Sequence, residues 1–139
     1  MALQTTVEHV GGPEPVTVLT LDGELDAAAF EGVIDTVSRL YDAGTRILVL
    51  DLIGLSFISS SGLVAVHAAM RLMRGEAAPD TEQGWEALRG VRQEADAGQV
   101  STALRLFGVQ DAIRKVLDRT GLGPLIPTYP NRAAALAGR

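Results

Sequence analysis

Three consecutive hydroxyls, Ser59, Ser60 and Ser61, stand between an apolar run, Ile47 to Leu52, and a second apolar run that opens at Leu63. The first run reads as a strand and the second as a helix, so the hydroxyls fall at a strand-to-helix junction. The opening turn of a helix leaves backbone N–H groups without intrahelical acceptors and carries the positive end of the helix dipole. A serine there can cap the helix, and a phosphate added there would meet N–H donors and a favourable potential. The junction therefore allows three readings: a plain helix cap, a modifiable switch, or a catalytic nucleophile.

A serine nucleophile needs a base within hydrogen-bond reach and a third group that orients the base. The histidines are His9 and His67. His67 lies beyond Ser61 on another side of the same predicted helix and reads as a partly buried structural residue, while His9 falls in a strand. The sequence has no Gly-x-Ser-x-Gly elbow, Gly-rich phosphate loop, paired Asp/Glu metal motif or His-Glu-x-x-His. It also has no cysteine, which excludes disulfides, thiolate metal sites and a cysteine nucleophile. The expectation is a protein that is not an enzyme, with no catalytic residue, metal or cofactor, and local sequence alone favours the plain cap over the switch as the reading of the serines.

The chain has 139 residues, a formal charge of -5 and 47% hydrophobic residues, enough to build the core of one domain over residues 1–139. Arginines alternate with acids, as Arg105, Arg114 and Arg119 do with Asp111 and Asp118, so no basic face forms and direct nucleic-acid binding is not expected. Residues 1–10 carry charge, and no apolar run approaches the roughly 20 residues that span a bilayer. This predicts a soluble cytoplasmic protein away from membranes.

The elements that must position the serines follow from pattern. Thr5 to Val10 and Val16 to Leu21 read as strands of a hairpin turning at Gly11-Gly12-Pro13. Asp26 is placed to cap a helix with apolar positions Phe30, Val33, Ile34, Val37 and Leu40, ended by Gly44. The Ile47 to Leu52 run is apolar on both faces except at Asp51, as a central strand with parallel neighbours would be. A helix opening at Ser60 or Ser61 puts Leu63, Val66, Met70 and Met73 on one face and ends near Gly75. Residues 75–100, rich in glycine and acids, read as an insertion in which Asp80 could cap a short helix carrying Trp85, Leu88 and Val91. Ala103 to Val109 reads as a strand, Asp111 to Thr120 as a helix closed by Gly121, and Pro130 or Asn131 to Ala137 as a terminal helix. The result is an α/β fold, a single open mixed β-sheet packed with helices in the order ββαβα(insert)βα(β)α.

On these residues the chain resembles the STAS domain family, anti-sigma factor antagonist type. Gly23-Glu24-Leu25-Asp26 is similar to the family segment after the second strand. Asp51-Leu52 followed by Phe57-Ile58-Ser59-Ser60-Ser61-Gly62-Leu63 is similar to its Asp-Leu…Phe-hydrophobic-Asp-Ser-Ser-Gly-Leu signature, and Ser101 to Leu122 aligns without gaps up to Thr120-Gly121-Leu122. The resemblance implies a non-enzymatic domain that binds an anti-sigma factor, a serine-protein kinase of the histidine-kinase-like ATPase fold. Phosphorylation of Ser61, with Ser60 as the alternative acceptor, then breaks that pairing. It implies a partner surface of Asp22, Gly23, Glu24, Asp26, Ser59, Ser60, Ser61 and Gly62. Ser59 departs from the pattern, because a neutral hydroxyl stands where the family commonly has an acid. The alternative is an unphosphorylated scaffold module in a signalling or transporter-linked complex. Nothing in the sequence names the sigma factor or fixes the oligomeric state.

Overall fold

The structure, a computed structural model, describes residues 2–76 and 103–138. Strands β1 (Gln4–Val10) and β2 (Val16–Leu25) form the antiparallel hairpin, with Val10 opposite Val16. Helix α1 (Phe30–Asp42) leads to β3 (Leu48–Asp51), β4 (Leu55–Ile58) and helix α2 (Ser60–Met73). After the undescribed segment come β5 (Leu104–Phe107), helix α3 (Asp111–Thr120), a 3-10 turn at Gly123–Leu125, β6 (Thr128–Tyr129) and helix α4 (Arg132–Ala137).

The strands lie in the order β1-β2-β3-β5-β6, and all pairings except β1–β2 are parallel. This is the open mixed sheet that the apolar runs predict. Period-two alternation sorts its side chains: Leu19, Leu21, Leu48, Leu50, Leu104 and Leu106 enter one core with α1, α2 and α3. Val16, Val18, Val49 and Phe107 enter a second, smaller core with Ala135 of α4. The central strand is thus covered on both faces, which is why it reads as continuously apolar.

The sequence reading missed one strand. β4 pairs with β2 beyond the residues that β3 uses, with Leu25 opposite Ile58, and the register shifts between Gly23 and Glu24. Gly23 sits at φ +118° and its N–H donates to Gly54 O at 2.9 Å, while Leu55 faces Gly23 and Phe57 faces Glu24, so the extra residue of the bulge is Ser56 on β4. Consequently β2 runs to Leu25 instead of Leu21, and Asp22 to Glu24 are strand where a loop was expected.

Helix α2 is also more enclosed than a one-faced stripe implies. Every residue from Gly62 to Met70 is buried, with Leu72 and Met73, as befits a helix apolar on all sides. The predicted insertion at 75–100, with its helix near Trp85, falls outside the described residues apart from Gly75 and Glu76. Gly121 closes α3 in the left-handed conformation at φ +85°, and Asn131 caps α4 by accepting from Ala134 N at 2.9 Å.

Candidate functional site

Because β2, β3, β4 and β5 are parallel, their C-terminal ends gather on one side of the sheet, where open α/β sheets form their binding surfaces. Helix α2 begins on that side. Its N-cap is Ser59, held extended at φ -86° and ψ 175°. The Ser59 Oγ accepts from Gly62 N at 3.1 Å and donates to Leu25 O at 3.3 Å, while Ser59 N donates to the same carbonyl at 2.9 Å. The donor and one lone pair of this hydroxyl are therefore engaged in fixing the helix to the end of β2.

Gly62 completes the junction. A Cβ there would lie 2.5 Å from Leu25 O and 2.7 Å from Ile58 Cγ1, so only glycine lets the first turn of α2 approach the end of β2 this closely. These contacts bring the two predicted segments, 22–26 and 59–62, into one site.

With the cap assigned to Ser59, the other two hydroxyls are left over. Ser60 is exposed and Ser61 half-buried, and neither side chain hydrogen-bonds among the described residues. The first turn of α2 contains no acid, so nothing within the helix opposes an anion there.

Around this turn, Asp22 is exposed with its carboxylate lying against Gly54, where a Cβ would come within 2.6 Å of Oδ1. Glu24 is half-buried and stands opposite Phe57 in the β2–β4 pairing. Asp26 was expected to cap α1 directly. Its Oδ1 instead accepts from Ala28 N and Ala29 N, 3.1 Å each, heading a turn from which α1 starts at Phe30. Ala2 and Leu3 join Glu24, Asp26, Ala28 and Ala29 around a shallow hollow beside the turn.

Sequence reasoning assigned no role to two neighbours of this site. Phe57 on β4 and Ile53 in the β3–β4 turn are 48% and 61% exposed. The signal available was Phe57 and Ile53 themselves, large apolar residues in a segment too short and irregular to classify.

Neither histidine is placed to activate Ser61. His67 is 0% exposed, within the core. His9 Nδ1 meets Thr17 Oγ1 at 3.1 Å near the start of β2, and strand geometry puts that point about 25 Å from Leu25. Among the described residues no three His, Asp or Glu side chains gather as metal ligands, and no helix is long and apolar enough to cross a membrane.

An open mixed sheet with helices on both faces and a serine-capped helix at the strand ends places the chain in the α/β class. The STAS domain model matches residues 6–77, and the chain belongs to the STAS domain family. An anti-sigma factor antagonist from Mycobacterium paratuberculosis is similar in structure, with a TM-score of 0.67 and 20% identity over 99% of this chain and 93% of that one. The antagonist SpoIIAA in its unphosphorylated form gives a TM-score of 0.53 at 20% identity, covering 96% of each chain. The phosphorylated form of the Bacillus SpoIIAA gives 0.57 at 24% identity, covering 96% of this chain and 100% of that one. At such identities the likeness is one of fold. No curated protein matches the chain.

Proposed function

We propose that this chain is an anti-sigma factor antagonist that binds a serine-protein kinase of the histidine-kinase-like ATPase fold, freeing the sigma factor that the kinase holds. Phosphorylation of Ser61 ends the binding, with Ser60 as the alternative acceptor. The observation that carries this reading is the division of labour at the junction. Ser59 takes the cap, which leaves Ser61 with an uncommitted hydroxyl in the first turn of α2. Membership of the STAS family and a fold shared with solved antagonists support the same role.

The mechanism is electrostatic and steric. A phosphoserine adds about -1.5 to -2 charges at neutral pH. The N–H groups at the start of α2 and its dipole can hold the new oxygens without rearranging the domain, so the change is felt at the surface. There it adds bulk and negative charge beside Asp22, Glu24 and Asp26, and a partner fitted to the unmodified face is repelled. Asp22, Glu24, Asp26 and Ser59 to Ser61 form that face, and Gly23 and Gly62, both buried, shape the backbone beneath it. The domain carries out no catalysis itself, needs no cofactor or metal, and works in the cytoplasm without touching nucleic acid.

The test is incubation with the cognate kinase and ATP, followed by mass spectrometry and binding measurements. Phosphate is expected on Ser61. Ser61→Ala should bind constitutively and resist modification, and Ser61→Asp should bind poorly, though a carboxylate supplies only part of a phosphate's charge. Phosphate on Ser60 alone would move the acceptor. No modification, with Ser61→Asp binding as well as the parent, would overturn the switch and favour a scaffold.

A further inference from the structure

Three large apolar side chains are exposed among the described residues, Val7, Ile53 and Phe57, and two of them stand at the strand ends beside the α2 N-terminus. Their placement is fixed by the fold. Phe57 is set by the β2–β4 ladder one residue before Ile58, so it cannot turn inward without a register slip. In the turn before β4, Ile53 N donates to Asp51 Oδ1 at 3.1 Å and Ile53 O accepts from Gln110 Nε2 at 2.9 Å. The backbone is thus tied on both sides of a side chain that remains 61% exposed. Presenting apolar surface from a pinned backbone costs little entropy on association, which is the property of an interface anchor.

The surroundings say what kind of partner fits. Glu24 is the cross-strand neighbour of Phe57, and the Asp22 carboxylate lies on Gly54, next to Ile53. Each anchor therefore has an acid beside it, on a chain of formal charge -5. A second copy seated through the same face would bring these acids toward their own equivalents, and an anionic membrane would meet the same repulsion.

We infer that Phe57 and Ile53 are the apolar anchors of the contact with the anti-sigma kinase, whose matching face is an apolar cleft rimmed by lysine or arginine. This rests on the function proposed above. It adds that binding energy is concentrated at these two side chains, outside the phosphoacceptor turn, with the acids setting association rate and salt dependence.

The experiment measures binding of the full chain to each purified serine kinase of the histidine-kinase-like ATPase fold encoded in the source genome, immobilised with magnesium and ADP. Phe57→Ala and Ile53→Ser should each weaken binding about tenfold or more, and Phe57→Leu should recover part of the loss. Association of the parent should slow as salt rises, and Asp22→Asn with Glu24→Gln should flatten that dependence. Thermal melts serve as the control, since both side chains are exposed and folding should be kept. Variants that fold and bind within twofold of the parent would overturn the anchors while leaving the switch intact. Light scattering that shows a parent dimer dissociated by Phe57→Ala would overturn the assignment in favour of self-association. If no kinase binds the parent, the proposed function and the anchors fall together.

Discussion

At residue scale the junction is decided by one carbonyl. Leu25 O accepts from both the amide and the hydroxyl of Ser59 and leaves no room for a side chain at residue 62. Two effects compete in Gly62→Ala. Alanine favours the helix by up to about 1 kcal/mol, whereas forcing a methyl into packed surroundings costs about 1–3 kcal/mol. The opposing atom is a buried backbone carbonyl, which cannot swing aside, so the clash should win. Gly62→Ala is expected to lower the melting temperature, and an increase would show that the approach is not tight. Ser59→Ala should cost about 1 kcal/mol through the lost cap. Ser59→Asp should be milder in stability, because a carboxylate still accepts from Gly62 N, but it cannot donate to Leu25 O. It also places a charge in the turn where phosphate would sit. Chemical denaturation of the two variants separates these losses, and equal destabilisation would show that accepting from Gly62 N contributes nothing.

Among the elements, the most revealing are those that local pattern hides. Buried at 5% exposure on β5, Arg105 donates from Nη1 to Ala135 O at 2.9 Å and Leu136 O at 3.2 Å, capping the carbonyl end of α4. A charged hydrogen bond of this kind is worth about 1.5–3 kcal/mol when its partners are otherwise buried. Arg105→Met, which keeps much of the volume, should therefore release α4. Hydrogen exchange should quicken in Arg132–Ala137 while β2 and β3 stay protected, and unchanged protection of α4 would mean that its apolar contacts alone hold it. Sequence places an arginine within a strand but not its carbonyl partners, which lie about thirty residues on. β4 was hidden for a similar reason. Its four residues show no alternation, being buried only at Leu55 and Ile58 on either side of the bulged Ser56, and it becomes a strand because β2 runs on past β3 and offers it a ladder. By contrast, the hairpin, α1, β3 and the serine-capped start of α2 depend on near neighbours and strong periodicity, and these were legible. Of the candidate site, the serines and the acids were readable from type and position. That Ser59 and not Ser61 is the cap was not, because it is settled by Leu25, distant in sequence.

For the whole molecule, the path of the chain separates the candidate site from the two points at which residues 77–102 join the described fold. Helix α2 starts at the C-terminal ends of the parallel strands and runs back to their N-terminal ends. There it finishes at the turn Arg74–Glu76, where Glu76 N donates to Arg71 O at 3.0 Å. The chain re-enters the described fold on the same side, since Leu48 N, at the start of β3, donates to Ala103 O at 2.8 Å. Both attachment points are thus tied into the domain at the end of the sheet opposite Ser59 to Gly62. We therefore expect residues 75–100 to be an insertion into a single domain, dispensable for the fold and for the switch. A variant in which residues 77–98 are replaced by a short Gly-Ser linker closes a smaller loop, and loop entropy changes only slowly with length, so little is lost on that account. It should melt cooperatively and be phosphorylated on Ser61 by the same kinase at a comparable rate. A melt that loses cooperativity would show the segment to be part of the core. A cooperative melt with phosphorylation abolished would instead show that the kinase reads this far end of the domain as well as the serine turn.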